Sequence, residues 1–183
     1  GICDDLYAID LGQTGHPETR LSESERANHS RRALTFPARG TITLPVVLAL
    51  FKDSPDPHID PASVRRALFD GPATRGTLTE VYLEMSSGKF RLDGDVLDWV
   101  RTSLPIADVV GNRNGLGGTN QVADYLTEAL ALVDPGVDFS SYDNDGPDGI
   151  ANSGDDDGLV DAVAFEYLEL SSHCGGPSIW PHR

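Results

Sequence analysis

The sequence predicts an α+β protein in which a mixed sheet is backed by helices. Three observations support this class. The apolar run from Thr41 to Phe51 is typical of a buried strand. Residues 77–87 and 119–133 carry apolar side chains at helical spacing. Residues 89–101 alternate roughly in twos around Asp93-Gly94, which predicts a β-hairpin.

Length and charge limit the classes of function. The 183 residues are 39% hydrophobic, which suits one domain with a packed core. There are 14 Lys and Arg against 29 Asp and Glu, so the net charge is −15. This acidity argues against nucleic acid as a partner, because phosphate binding needs a basic face. The longest apolar run, Leu44 to Phe51, is far shorter than the roughly 20 residues of a membrane span, so no span is expected.

The chain begins with a polar segment. Residues 1–40 have no sustained period and are interpreted as an extended arm or the end of a pro-segment. No basic and apolar leader opens the sequence, so any signal peptide is expected to be gone already. After the first strand, Asp60-Pro61 predicts a helix start, since an acidic N-cap often precedes a proline at the first helical position. Gly71-Pro72 ends this helix.

The second helix has the clearest local signal. Thr77 to Glu80 forms a capping box, and Gly88 ends the helix. Its apolar residues recur at helical spacing and should face the core; they are Leu78, Val81, Tyr82 and Met85.

The second half of the chain continues the alternation of elements. Leu104 to Val110 predicts a short strand, and the helix at 119–133 ends at Asp134-Pro135-Gly136. A long irregular stretch, residues 138–158, precedes a predicted strand from Leu159 to Leu168. That strand and residues 43–51 should form the core sheet, with Val47, Leu126 and Val163 buried.

The irregular stretch is the strongest candidate for a binding site. Between Asn114 and His182 there are thirteen acidic residues and no Lys or Arg. Such a cluster repels itself unless it is solvated or holds a cation. Calcium takes about six to eight oxygen ligands, which closely spaced aspartates supply while glycines let the backbone curl. The predicted calcium ligands are Asp143, Asp145, Asp148, Asp155, Asp157 and Asp161. An EF-hand is rejected because the spacing of the aspartates is wrong and no glutamate lies at the EF-hand spacing, and a solvated acidic loop is the alternative.

The sequence contains no motif for zinc-dependent or serine-dependent catalysis. No two of the five histidines are four residues apart, and there is no His-Glu-x-x-His motif for zinc. His173, Cys174 and His182 lie close together in sequence, but surface residues are the simpler interpretation. No serine nucleophile motif is present. Cys3 and Cys174 are compatible with a disulfide or with two free thiols.

Several segments together resemble peptidase family M6, the immune-inhibitor-A-like metallopeptidases. The resemblance covers roughly residues 41–183, in the order of the family. It lies in Leu44 to Asp53, Tyr82 to Phe90, Val137 to Asp143, Gly158 to Val163 and Ile179 to Arg183.

The resemblance implies the upstream half of a zincin-type fold, secretion or a cell-surface location, a catalytic zinc, a structural calcium and a protein or peptide substrate. In the family, the zinc-binding helix follows the segment that matches Ile179 to Arg183, where this sequence stops. A domain at 41–183, truncated before that helix, is therefore expected to bind zinc only in a longer form. No catalytic residue is assigned, and the chain alone is predicted to be inactive.

Two other functions stay open at this point. The chain is alternatively a non-catalytic, calcium-stabilised surface, assembly or binding module. It is also compatible with an unrelated α+β domain that carries an acidic loop. The partners to consider are the downstream catalytic half of the peptidase or a second copy of the chain.

Overall fold

A long central strand organises the structure, a computed structural model that describes residues 39–117, 119–144, 148, 150, 153–156 and 158–180. Strand β1 runs from Gly40 to Leu50, as predicted, and its last seven residues are buried. The interpretation of residues 1–40 as an arm concerns residues that lie almost wholly outside the described part.

In the described part of the chain, three strands pair with β1, each of them parallel to it. They are β2 (Phe90–Val96), β3 (Val100–Arg101) and β4 (Ala164–Glu166). Parallel strands need long connections, and here helices supply them. The α+β class predicted from the sequence is confirmed, although all pairings among the described strands are parallel and the sheet is therefore not the mixed one that was expected.

Two helices precede β2. Helix α1 (Pro61–Arg65) begins at the predicted N-cap Asp60, whose carboxylate accepts the Ser63 N–H at 2.7 Å, and it continues into a π-helical turn, Arg66–Asp70. That hydrogen bond is the main cause that lowers the pKa of Asp60. Helix α2 (Leu78–Met85) begins with the predicted capping box between Thr77 and Glu80.

The predicted hairpin at Asp93-Gly94 is wrong. Strand β2 continues straight through both residues and pairs with β1 along its whole length. Gly94 is needed there for packing rather than for a turn, because a Cβ atom at this position would lie 2.3 Å from Cζ of Phe69.

The predicted strand at residues 104–110 is also wrong. Ile106–Val110 forms a short helix, α3, and the Asp53 carboxylate accepts the Ile106 N–H at 2.8 Å. The helix predicted at 119–133 is confirmed as α4 (Val122–Val133), followed by the 3₁₀ turn Asp134–Gly136. Of the strand predicted from Leu159 to Leu168, only the three residues of β4 pair with β1.

Two apolar clusters form the core, and alternate residues of β1 point into each. Val47 and Phe51 pack in one cluster with Phe165 and α4. Val46 and Leu48 pack in the other, which also contains residues of α1 and β2. The predicted burial of Val47, Leu126 and Val163 is confirmed. The stripe on α2 is only partly buried, since Val81 is 41% and Met85 77% exposed.

Among the described residues, side chains rather than another strand bond to the outer edge of β2. Backbone bonds from Gly40 to Lys89 and from Leu97 to Val46 show that the odd-numbered residues face β1. Residues 90, 92 and 94 therefore face outward. The Ser86 hydroxyl accepts the Phe90 N–H at 2.9 Å, the Thr79 hydroxyl donates to the Leu92 carbonyl at 2.6 Å, and Arg65 donates to the Gly94 carbonyl.

None of the helices in the described ranges is long and apolar enough to cross a membrane.

Candidate metal centre

The acidic loop, residues 138–161, begins with a 3₁₀ turn, Phe139–Tyr142. Asp138 caps this turn by accepting the N–H of Ser140 at 3.2 Å and its hydroxyl at 2.7 Å. The turn ends at Tyr142, which is 7% exposed. The loop therefore starts from a residue that is packed against the body of the protein.

Tyr142 is anchored to the sheet by its hydroxyl. The hydroxyl donates to a carboxylate oxygen of Asp95, beside the end of β2, at 3.2 Å. Burial, and then the negative charge of Asp95, raises the pKa of Tyr142 to about 12. The guanidinium of Arg65 in turn pairs with Asp70, Asp93 and Asp95 at 3.2–3.4 Å.

The two ends of the acidic loop meet at Asp143 and Asp161. Asp143 is only 3% exposed, and its Oδ2 accepts the N–H of Gly158 at 2.7 Å. Asp161 Oδ2 accepts the backbone N–H of Asn144 at 2.8 Å and its side-chain amide at 3.3 Å. The Asp161 N–H donates to the Tyr142 carbonyl at 3.2 Å. These bonds bring two predicted ligands to one place from opposite ends of the loop.

A second pair of predicted ligands meets near the tip of the loop. The Asp148 N–H donates to Asp155 Oδ2 at 3.2 Å, and the Ser153 hydroxyl donates to Asp155 Oδ1. The hydrogen bond from Ser153 is the main cause that lowers the pKa of Asp155. The adjacent Asp156 accepts the Ser153 N–H at 2.5 Å.

The described residues thus show two pairs of predicted ligands that are brought near each other by bonds to backbone N–H groups, and they show no complete ligand set. Asp143 meets Asp161, and Asp148 meets Asp155, whereas Asp145 and Asp157 lie outside the described residues. Within the described ranges, no group of three or more His, Cys, Asp or Glu side chains is placed to hold a metal ion. The set of six ligands stays a prediction.

The candidates for zinc do not form a site among the residues that the structure describes. His173 is exposed, with its ring 6.0 Å from that of Trp180, while Cys174 is not a free thiol. Cys174 is disulfide-bonded, so the alternative of two free thiols is wrong, whereas His182 and Cys3 lie outside the described residues. Zinc in a catalytic site needs about three protein ligands and an open position for water. The described histidines, His58 and His173, do not fit that requirement.

Sequence patterns do not reveal the anchor of the loop. Tyr142 is only one residue of the segment Val137 to Asp143 that resembles the M6 family. Arg65 and Asp95 belong to none of the sequence motifs. Asp95 and Tyr142 are separated by the whole of α3 and α4, so local spacing carries no signal for their contact. Asn144, which ties the loop ends together, has a weak local signal, because asparagine between aspartates is common in loops that bind hard cations.

Comparisons with known proteins assign this chain to a family. A model of the catalytic domain of a metallopeptidase family matches residues 64–183, which is more than half of the chain. Its description is "Immune inhibitor A peptidase M6, catalytic domain", and the chain belongs to this M6 family of metallopeptidases. The resemblance found in the sequence is confirmed, and the alternative of an unrelated α+β domain is wrong.

A curated relative supports the same family. Immune inhibitor A of Bacillus thuringiensis subsp. alesti is 30% identical over 131 residues, which cover 64% of this chain. The chain spans only 19% of the length of that relative. The activity and substrates of a whole peptidase therefore concern much more protein than this chain contains.

Proposed function

We propose that this chain is the amino-terminal part of the catalytic domain of a secreted M6 zinc metalloendopeptidase with a zincin-type fold. In this proposal the acidic loop binds a structural calcium ion. The match of residues 64–183 to the catalytic domain of the family is the observation that carries the proposal. The substrate is a protein or peptide, and the domain proper begins near residue 41.

Calcium is supported by the burial and density of charge in the loop. Asp143 is almost fully buried, although the loop around it contains aspartates and no basic residue. Burying a carboxylate is costly unless opposite charge or hydrogen bonds compensate. Several of the loop N–H groups donate to carboxylates, so hydrogen bonds stabilise part of this negative charge without neutralising it. A hard cation with many oxygen ligands is the simplest compensation.

In this proposal, the described residues hold the calcium loop in position and take no part in hydrolysis. Arg65, Asp95 and Tyr142 hold the start of the loop against the sheet. The contacts of Asp143 with Gly158 and of Asp161 with Asn144 bring its ends together. Zinc, when bound by a longer form, would polarise the scissile carbonyl and activate water. The sequence given has no His-Glu-x-x-His, so no residue here is assigned to that chemistry.

Removal of calcium tests the loop. We expect EGTA at low salt to lower the melting temperature, since a ligand at about 100 times its Kd adds about 2.7 kcal/mol of stability. For a domain of this size that is a loss of several degrees. Asp143→Asn should reduce the shift, whereas Asp98→Asn, at an exposed acid outside the loop, should retain it. An unchanged melting temperature on chelation contradicts the calcium proposal.

An activity assay tests the peptidase proposal. Two forms, the 183-residue chain and a form that continues past Arg183, are incubated with unfolded casein, zinc and calcium. We expect chelator-sensitive cleavage by the longer form alone. Cleavage by the 183-residue form would overturn the prediction that this part is inactive by itself. If both forms bind calcium and neither cleaves, the non-catalytic binding or assembly module is the better function.

A further inference from the structure

Two buried polar atoms lie where three parts of the fold meet. They are the hydroxyl oxygen of Tyr125, on α4, and Oε2 of Glu169, in the segment after β4. Neither has a hydrogen-bond partner among the described residues, although both atoms are shielded from solvent. Tyr125 is fully buried as a residue. A buried donor and a buried acceptor without partners are rare, and each needs an explanation.

Both atoms belong to the surroundings of Phe51, at the end of β1. The ring of Tyr125 stacks on that of Phe51, with centroids 4.5 Å apart and an interplanar angle of 14°. The Phe51 N–H donates to the Ser54 hydroxyl at 2.9 Å, and that hydroxyl donates to Oε1 of Glu169. Helix α4 and the carboxylate of Glu169 therefore approach Phe51 from its ring and from its backbone.

The pKa of Tyr125 also indicates that its hydroxyl lies near Glu169. Burial is the main cause that raises the pKa of Tyr125, and the negative charge of Glu169 is the second. The carboxylate is thus near enough to oppose ionisation of the phenol, yet the two groups make no direct hydrogen bond.

We infer that a buried water molecule bridges Tyr125 and Glu169 at this junction. The water accepts the phenolic proton of Tyr125 and donates a proton to Oε2 of Glu169. Its requirements match the two atoms, because the phenolic hydroxyl is a donor and the carboxyl oxygen is an acceptor. Buried waters typically satisfy about two to four polar groups in such positions. A calcium ion does not fit, because it takes about six to eight oxygen ligands.

The bridge would join α4, the turn after β1 and the segment after β4. That segment also returns to the same cluster through Tyr167, whose hydroxyl donates to the Ile179 carbonyl at 2.9 Å. The water would therefore help to fix the path of residues 167–180 over the core, independently of the acidic loop and of any metal.

The sign of a stability change tests the bridge. If Tyr125 donates to a water, Tyr125→Phe removes that bond and should lower the melting temperature by about 2–4 °C, the change that 1 kcal/mol produces in a domain of this size. If the hydroxyl is truly unsatisfied, its removal should leave the melting temperature unchanged or raise it, and the inference fails. Tyr82→Phe, at a half-buried tyrosine of α2, is the matched control and should change little.

A crystal structure of the unsubstituted protein gives a second, independent test. We expect electron density for one water within about 2.7–3.2 Å of both the Tyr125 hydroxyl and Oε2 of Glu169. A direct hydrogen bond between the two side chains, or a dry contact, would overturn the inference even if the variant cannot be purified.

Discussion

The packed frame of the protein and its acidic loop satisfy polar groups in different ways. The packed frame is the sheet together with α1, α2 and α4. At the edge of β2, hydroxyl and guanidinium groups from the neighbouring helices bond to outward-facing backbone atoms. In the acidic loop, carboxylates accept N–H groups of the loop itself. The frame is thus fixed by tertiary packing, whereas the loop concentrates negative charge and bonds carboxylates to its own backbone.

This difference predicts where a substitution acts. In the frame, stability should depend on shape and volume, because side chains there are closely packed. In the loop, stability should depend on charge and on cations, and small changes of shape should matter little. The following experiments separate the two regions, from the largest expected effect to the smallest.

The largest effect should come from a cavity in the frame. Leu126 is 8% exposed on α4, and Leu126→Ala should lower the free energy of unfolding by about 2–5 kcal/mol. Leu132, on the same helix, is 45% exposed, so Leu132→Ala should cost much less. Urea denaturation of both variants measures the difference. Equal losses would mean that α4 does not pack through the predicted face.

A glycine substitution tests shape in both regions. Gly94→Ala would place a methyl group 2.3 Å from Cζ of Phe69, and such overpacking typically costs about 1–3 kcal/mol. A Cβ atom added to Gly154, in the acidic loop, would meet no atom beyond its chain neighbours within 4 Å in the described part, so Gly154→Ala should be nearly neutral. Thermal unfolding compares the pair. A loss at Gly154 as large as that at Gly94 would show that the loop is as tightly packed as the frame.

The smallest effect should be the alkaline response of Tyr142, the residue that joins the loop to the frame. Its pKa is raised from 10.0 to about 12, so the unfolded chain releases the phenolic proton first as pH rises. The stability from this group is therefore complete below pH about 10 and is lost as pH rises to about 12. Tyr142→Phe should show a shallower loss over that range, measured by urea midpoints. An unchanged slope for Tyr142→Phe would contradict the assignment.

Local signals in the sequence were sufficient where one segment determines its own structure. The capping box of α2, the acidic N-cap of α1 and the apolar run of β1 each depend on neighbouring residues, and all three are confirmed. The same reasoning failed where a distant residue decides. Asp93-Gly94 has the composition of a turn, but the glycine is required by the ring of Phe69, from another element.

Short apolar segments were ambiguous for a related reason. Residues 104–110 are compatible with a strand or a helix by composition. The cap that Asp53 provides to Ile106 favours the helix, and it comes from far along the chain. In the acidic loop, the sequence indicated that aspartates are concentrated there. The structure adds that Asp143 lies near Asp161 and that Asp148 contacts Asp155. The anchor from Tyr142 to Asp95 depends on the folded sheet, so no local pattern contains it.

The parallel pairing of every partner strand with β1 also has a kinetic consequence. Val46 pairs with Val96 on β2 and with Ala164 on β4, both far away in sequence. No sheet contact among the described strands can therefore form by a local hairpin, and each requires closure of a long loop. Proteins with such high contact order fold slowly, because chain entropy is lost before the contacts are gained. The capped helix α2 can form early, because its capping signals are local. Strand β1 stays exposed until its distant partners have folded. The hydroxyl and guanidinium groups that bond to the edge of β2 limit its pairing with a wrong strand.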